Sequence, residues 1–436
     1  MHSDQGEDFI YVPLLAGIGD GAIGTKYDWN LTYSPQPAAN NRSIAIPLGK
    51  VVGGGSCLNK MTFDIAGEVD YDRWTEVGGV GWNDLLPYFK KVRSFIFTNF
   101  TPPEPEIAKE WDIQTDPTAH GYKGYYARRS NSSRSTVIAT KEVVLAAGAI
   151  HSPQLLQLSG IGDPSLLEQL GINTVVSLPG VGANFQDHPL LRSVTSCELL
   201  GPYSTEGVSA YAFIGTSSFT NKTLQIVSSA SSITPASYLP SDVDPSVLVG
   251  YEAQYEILTR DLASKNVPIM EFIFSGGAVY AILQHPFSRG SVVITSTDPF
   301  TPPSTNPGFL SHQTDLLLLS AAGKYARTIM KTPAFAPLSP VEIVPGPSVQ
   351  TEADFEAWVR STINTTFHPS GSTSMMKRRY GGVVDSDYRV YGVQKLRVVD
   401  AGTFPMIQAA HLQATVYAMA ERASDIIKRT YRGDES

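Results

Sequence analysis

Gly49-Lys50-Val51-Val52-Gly53-Gly54-Gly55-Ser56-Cys57-Leu58-Asn59-Lys60-Met61-Thr62-Phe63 is the stretch on which the reading of this chain turns. Successive glycines let a backbone approach a flat or charged ligand closely. Consecutive peptide N–H groups in such a run can cradle an anion. Ser56, Asn59 and Thr62 add polar edges. Taken alone, the run reads as a glycine-rich loop. Its continuation carries more: Asp70-Tyr71-Asp72-Arg73-Trp74, then Gly81-Trp82, then Leu86-Pro87-Tyr88-Phe89.

Further along, Lys141-Glu142-Val143-Val144-Leu145-Ala146-Ala147-Gly148 reads as a buried strand ending in small residues. A helix is expected after it, over Ser152-Pro153-Gln154-Leu155-Leu156, with Ser152 as cap and Pro153 in the first turn. Small residues between a strand end and a helix N-terminus leave room for a cofactor at the positive end of the helix dipole. The chain goes on to Leu178-Pro179-Gly180-Val181-Gly182-Ala183-Asn184 and Asp187-His188-Pro189. Near the other end stand Phe367-His368-Pro369-Ser370-Gly371-Ser372-Thr373 and Leu396-Arg397-Val398-Val399-Asp400-Ala401-Gly402, followed by His411-Leu412-Gln413-Ala414-Thr415. Helices are expected at 82–93, opened by Asn83 or Asp84, and at 313–331 and 413–429. Between 190 and 360, runs such as IMEFIFSG, AVYAILQ and GSVVITS read as short strands. Residues 102–134 lack periodicity and read as a loop or a join.

These motifs together resemble the glucose-methanol-choline oxidoreductases, over nearly the whole chain. The resemblance implies a mixed α/β and α+β fold, in which a doubly wound FAD-binding domain is intertwined with a substrate domain built on an antiparallel sheet with helices. It places the FAD domain in 1–95, 135–187 and 368–436 and the substrate domain in 188–367, with 96–134 as a loop or truncated join. It implies FAD as cofactor, a small-molecule alcohol as substrate, and oxygen or another acceptor to reoxidise the flavin. By the same resemblance Gly53, Gly54, Gly55, Ser56, Asn59, Lys60, Met61 and Thr62 line the cofactor, with Asp400, Ala401, Leu412 and Gln413 against it. His368 and His411 become the catalytic pair, His368 as base and His411 as the partner that bonds the substrate oxygen, or the reverse. The chemistry suits histidine, whose proton affinity lies near working pH. His151, His188 and His285 read as structural, with Asp187 holding the ring of His188.

Two parts of the family pattern are expected to be missing. The apolar run 9–16 and the glycines of 17–24 lack the succeeding helix and the acidic residue some 20 positions on that a dinucleotide fold needs. Residue 9 onward already matches the portion of the family pattern C-terminal to such a unit, so the ADP-holding βαβ unit is expected to be absent. A second gap lies between Gly124 and Thr140. The alternative reading is therefore a catalytically inactive family member that acts as a binding protein. A hydrolase is a poor third reading, since no Gly-x-Ser-x-Gly elbow is present and His368-Pro369-Ser370 lacks a strand-turn-helix setting.

Composition sets the outer bounds. The chain has 436 residues, 42% hydrophobic and 17% charged, with a net charge of -8, which argues against a nucleic-acid footprint. No apolar run is long enough to span a bilayer. Cys57 and Cys197 are too few for a disulfide framework or a zinc ribbon, and no metal ligand set is expected. Sequons at Asn30, Asn41, Asn99, Asn131, Asn221 and Asn364 fit a secretory route, although Met1 opens into a polar stretch with no signal peptide.

Overall fold

Alternation builds the largest sheet. Along Pro189–Ser196 every second residue is buried, the period of a strand with two unlike faces. Around it the computed structural model describes residues 23–51, 53–59, 62–98, 123–127, 134–196, 210–275, 277–333 and 335–432. The sheet runs in the order Val341–Val344, Pro189–Ser196, Ala278–Leu283, Met270–Ser275, Ala210–Ile214, and each neighbour is antiparallel. Asn364–Thr365 pairs with the start of Pro189–Ser196. This pairing delivers the residues just before His368 to that strand.

The two faces of the sheet have different jobs. One face carries Leu191, Met270, Phe272, Ala281 and Leu283, which share a core with Leu316 and Leu319 of the helix Gln313–Met330. Each of the leucine, methionine and phenylalanine side chains contributes about 1.5–3 kcal/mol on burial. The register aligns Glu271 with Phe213 on one side and Ile282 on the other, so these stand on the opposite face. Tyr211, two residues from Phe213, shares that face.

A second core lies under the helices Glu68–Val77, Trp82–Thr98 and Gln413–Tyr431. Tyr71, Trp74, Leu85, Phe404, Met406 and Ala418 are buried in it. Leu396–Val398 pairs in parallel with Val143–Leu145, and the helix Gly148–Leu158 comes directly after the latter. Val144 is 42% exposed, so this strand is not the buried one its apolar run predicts. Among the described residues it has a neighbour on one side only.

Other local differences have physical causes. The helix at Gly148 begins four residues ahead of Ser152, whose hydroxyl accepts from the N–H of Ala147 and donates to Asp400. The helix at Trp82 is capped by the Asp72 carboxylate on the N–H of Trp82 and by Asp84 on the N–H of Gly81. Lys123–Ala127 and Arg134–Ile138 pair as an antiparallel ladder where composition predicted a loop. The run 9–16 and the glycines of 17–21 lie outside the described residues, as do Lys60 and Met61. Among the described residues no helix is long and apolar enough to cross a membrane.

Candidate active site

Two imidazoles from distant loops meet edge to face. The rings of His368 and His411 stand 5.2 Å apart, centroid to centroid, at 85°. His368 lies just past the short strand Asn364–Thr365, and its main-chain N–H donates to Asp187 Oδ1 at 2.9 Å. His411 precedes the last helix and is held twice by Asp64. Its main-chain N–H donates to Oδ1 at 2.9 Å, and its Nδ1 lies 3.1 Å from Oδ2. Tyr211 reaches from the sheet to the edge of the His411 ring, 5.9 Å between centroids, and its hydroxyl lies 3.2 Å from Thr62 Oγ1. The sheet face that carries Tyr211 therefore roofs the histidines.

The glycine motif arrives at the same place. Asn59 Nδ2 donates to Gln413 Oε1 at 2.5 Å, joining the loop to the first residue of the final helix. Gly53 and Gly54 adopt positive φ, and Ser56 Oγ donates to the Gly53 carbonyl at 2.7 Å. A Cβ placed on Gly54, Gly55 or Gly148 would stand in open space, so the backbone there is bare to a ligand. Leu412 is buried at the helix start. The Asp400 carboxylate is committed elsewhere: it accepts from the N–H groups of Gly148 and Gly402 and from the Ser152 hydroxyl. Its side chain braces the turn at Ala401–Thr403 against the strand end. Among the described residues no cluster of His, Cys, Asp and Glu is arranged to hold a metal.

The other histidines divide. His151 bonds Gln154 and packs on Trp29, while His285 lies in a buried network with Arg73 and Asp70, both apart from the pair. His188 is different. Its ring is not held by Asp187, whose carboxylate instead takes the Tyr33 hydroxyl at 2.6 Å, the Thr365 hydroxyl and the His368 N–H. His188 Nδ1 lies 2.9 Å from His368 Nδ1. Sequence reading missed Asp64, Tyr211 and Glu271, which are brought in by folding alone.

Environment splits the pair. Burial, then the neighbouring imidazoles of His188 and His411, hold His368 well below the ordinary imidazole value. Burial also pulls His411 down, but the hydrogen bond to Asp64 and the charges of Glu271 and Asp64 outweigh it, and the net direction is up. Glu271 is buried beside them. It accepts from Gln284 Nε2 at 3.0 Å, and its Oε1 has no hydrogen-bond partner among the described residues. Burial lifts its carboxyl to about 7, against the pull of His411. A carboxyl raised on folding contributes stability that is full below its unfolded value and lost as pH rises through the folded one. Glu271→Gln is therefore expected to match the parent's thermal midpoint near pH 4 and to exceed it near pH 8. A difference that does not change with pH between thermal scans would refute the assignment.

Family models described as GMC oxidoreductase match residues 18–130, 122–190 and 286–420. The chain belongs to the GMC oxidoreductase family. It is 31% identical to the GMC oxidoreductase family protein Mala s 12 of Malassezia sympodialis, covering 97% of this chain and 86% of that protein. It is 30% identical to the dehydrogenase xptC of Emericella nidulans, over 98% and 87%. Its structure is similar to that of an FAD-dependent oxidoreductase from Chaetomium thermophilum, with a TM-score of 0.84 at 27% identity, covering 98% and 94%. A fungal aryl-alcohol oxidase matches with a TM-score of 0.81 at 26% identity, over 93% and 90%. The alignment with the Malassezia protein runs over 545 positions against 436 residues here, so at least 109 of those positions have no counterpart in this chain.

Proposed function

We propose that this chain oxidises a small-molecule alcohol at its CH–OH carbon, with FAD as cofactor, His368 as proton acceptor and His411 as the group that holds the substrate oxygen. The observation that carries the reading is the edge-to-face pair of imidazoles whose proton affinities are pushed apart. Titratable neighbours driven in opposite directions mark the acid and base assignments of a site.

The bare glycines and Asn59 tied to Gln413 fit the reactive ring of a flavin. Gly53, Gly54, Gly55, Ser56, Asn59, Thr62, Leu412 and Gln413 would hold it, with the backbone of Asp400 and Ala401 behind. FAD, when bound, supplies a two-electron acceptor for the hydride. This chain's own residues do the rest. His368, neutral at working pH, takes the hydroxyl proton. His411, more readily protonated and steadied by Asp64, donates to the substrate oxygen as negative charge grows on it. Tyr211, at the edge of the His411 ring, borders the site on the sheet side.

The unmatched positions, at least 109, favour a second reading, a binding protein without turnover. One measurement separates the two. The purified chain, incubated with excess FAD and desalted, is expected to retain a visible flavin band that bleaches when an alcohol is added without oxygen. Aryl, allylic and choline-type alcohols form the panel. A colourless protein would sink the oxidoreductase reading and leave the binding one.

A further inference from the structure

We infer that His188 is a positioning residue for the proton acceptor, fixing His368 in the tautomer that carries its hydrogen on Nδ1 and leaves Nε2 bare. The inference rests on the reading of His368 as base, but its geometry is independent of any bound group.

The hydrogens can be placed one by one from the core outward. His188 is fully buried, and burial keeps its ring neutral. Its Nε2 lies 3.1 Å from the main-chain carbonyl of Gln284. A carbonyl oxygen only accepts, so the single ring hydrogen of His188 is on Nε2 and its Nδ1 is a lone pair. That lone pair faces His368 Nδ1 at 2.9 Å. Two bare nitrogens at this distance would repel, so His368 Nδ1 carries the hydrogen. Thr366 gives the same answer by a separate route. Its hydroxyl donates to the His188 carbonyl at 3.0 Å, which leaves its oxygen, 3.1 Å from His368 Nδ1, to accept. Both neighbours of His368 Nδ1 are acceptors. A neutral imidazole has one N–H, so Nε2 is the basic nitrogen.

The consequence is chemical. In the other tautomer His368 would offer an N–H to an alcohol and could not take its proton. In this one the lone pair is ready. The charge that His368 gains on protonation is met by an imidazole–imidazole hydrogen bond, the charge-assisted kind that is roughly twice as strong as a neutral one. A residue that acts this way resembles the outer partners of metal-bound histidines, whose loss costs roughly 10- to 100-fold.

The test is nitrogen NMR on the full chain labelled with 15N-histidine, with the His368 signals identified by their loss in His368→Gln. The parent is expected to show His368 protonated on Nδ1. His188→Leu, which fills the space but accepts nothing, is expected to shift His368 toward the Nε2-protonated form and lower kcat by roughly 10- to 100-fold, with a smaller change in KM. His188→Asn, whose amide oxygen can stand near the lost Nδ1, is expected to restore both. A parent ring protonated on Nε2, or His188→Leu with the parental tautomer and kcat, overturns the inference. Should His188→Leu fail to fold, the parental spectrum alone decides the tautomer. A parent with the stated tautomer but no alcohol oxidation would defeat the proposed function and leave this assignment standing.

Discussion

Replacing His368 by alanine is expected to lower kcat/KM for alcohol oxidation by about 100- to 10,000-fold, the usual contribution of a positioned general base. The bound flavin is expected to stay. The His368 side chain touches His188, Thr366 and the edge of His411, while the glycine loop is tied to Gln413 by a different residue, Asn59. Loss of turnover with an unchanged flavin spectrum therefore isolates the proton transfer from cofactor binding. The acid side of the profile is also informative. Burial keeps His368 well below the ordinary imidazole value, so parental activity is expected to persist at pH values where an exposed histidine would already be protonated. An alanine variant that keeps more than about a tenth of kcat/KM would remove His368 from the base role.

The second large effect concerns the scaffold of His411. Arg73 is buried and donates to Asp261 Oδ2 at 2.8 Å and Asp70 Oδ1 at 2.8 Å, to the carbonyl of Ile407 at 3.3 Å, and to the ring of His285. Asp70 Oδ1 in turn accepts from the N–H of Ala409. One guanidinium thus ties the helix Glu68–Val77 to the loop that leads into His411. Arg73→Met keeps volume but leaves the buried Asp70 carboxylate without a guanidinium and Asp261 with only the more distant Arg260, 3.7 Å away, and is expected to cost about 3–5 kcal/mol at neutral pH. Burial raises the Asp70 carboxyl, yet Arg73 and His285 more than reverse this and hold it below its usual range. In the parent this contribution is present above the unfolded value and fades as pH falls through the folded one. In the variant burial wins, and protonation relieves it. The stability gap between parent and variant in denaturant titrations should therefore narrow on acidification. An unchanged unfolding midpoint in Arg73→Met would show that the network does not stabilise the fold.

Much of this was legible in the sequence. The helices at Gln313–Met330 and Gln413–Tyr431 fall within two residues of the expected ends, because long apolar periods over 18 and 19 residues leave little choice. The strands Met270–Ser275 and Ala278–Leu283 were visible as short apolar runs. What the sequence could not carry was direction. Asp187 adjoins His188 in the chain, so a bond between them is the natural expectation. The carboxylate instead points to Tyr33, 154 positions away, and the ring turns to His368. Asp64 stands directly after the first motif, but only the tertiary fold shows that it grips His411. Glu271 and Tyr211 reach the site through sheet register, and a slip of one residue would have put both on the other face. The ladder of Lys123–Ala127 with Arg134–Ile138 was obscured by charged and proline-rich surroundings, although Tyr125, Tyr126, Thr136 and Val137 have strand character.

The distances along the chain between the residues of the site set the order in which it can come into being. Asp64 meets His411 across 347 positions, Asn59 meets Gln413 across 354, and His188 meets His368 across 180. Closing such loops costs little more than closing short ones, about 0.6 kcal/mol for each doubling, but pairing over long separations is slow. A chain still on the ribosome lacks the second imidazole until residue 411 has been made. Helices and hairpins can form before then, but the reactive pocket cannot. It closes only when the final segment docks, so during refolding activity is expected to return after secondary structure has already recovered.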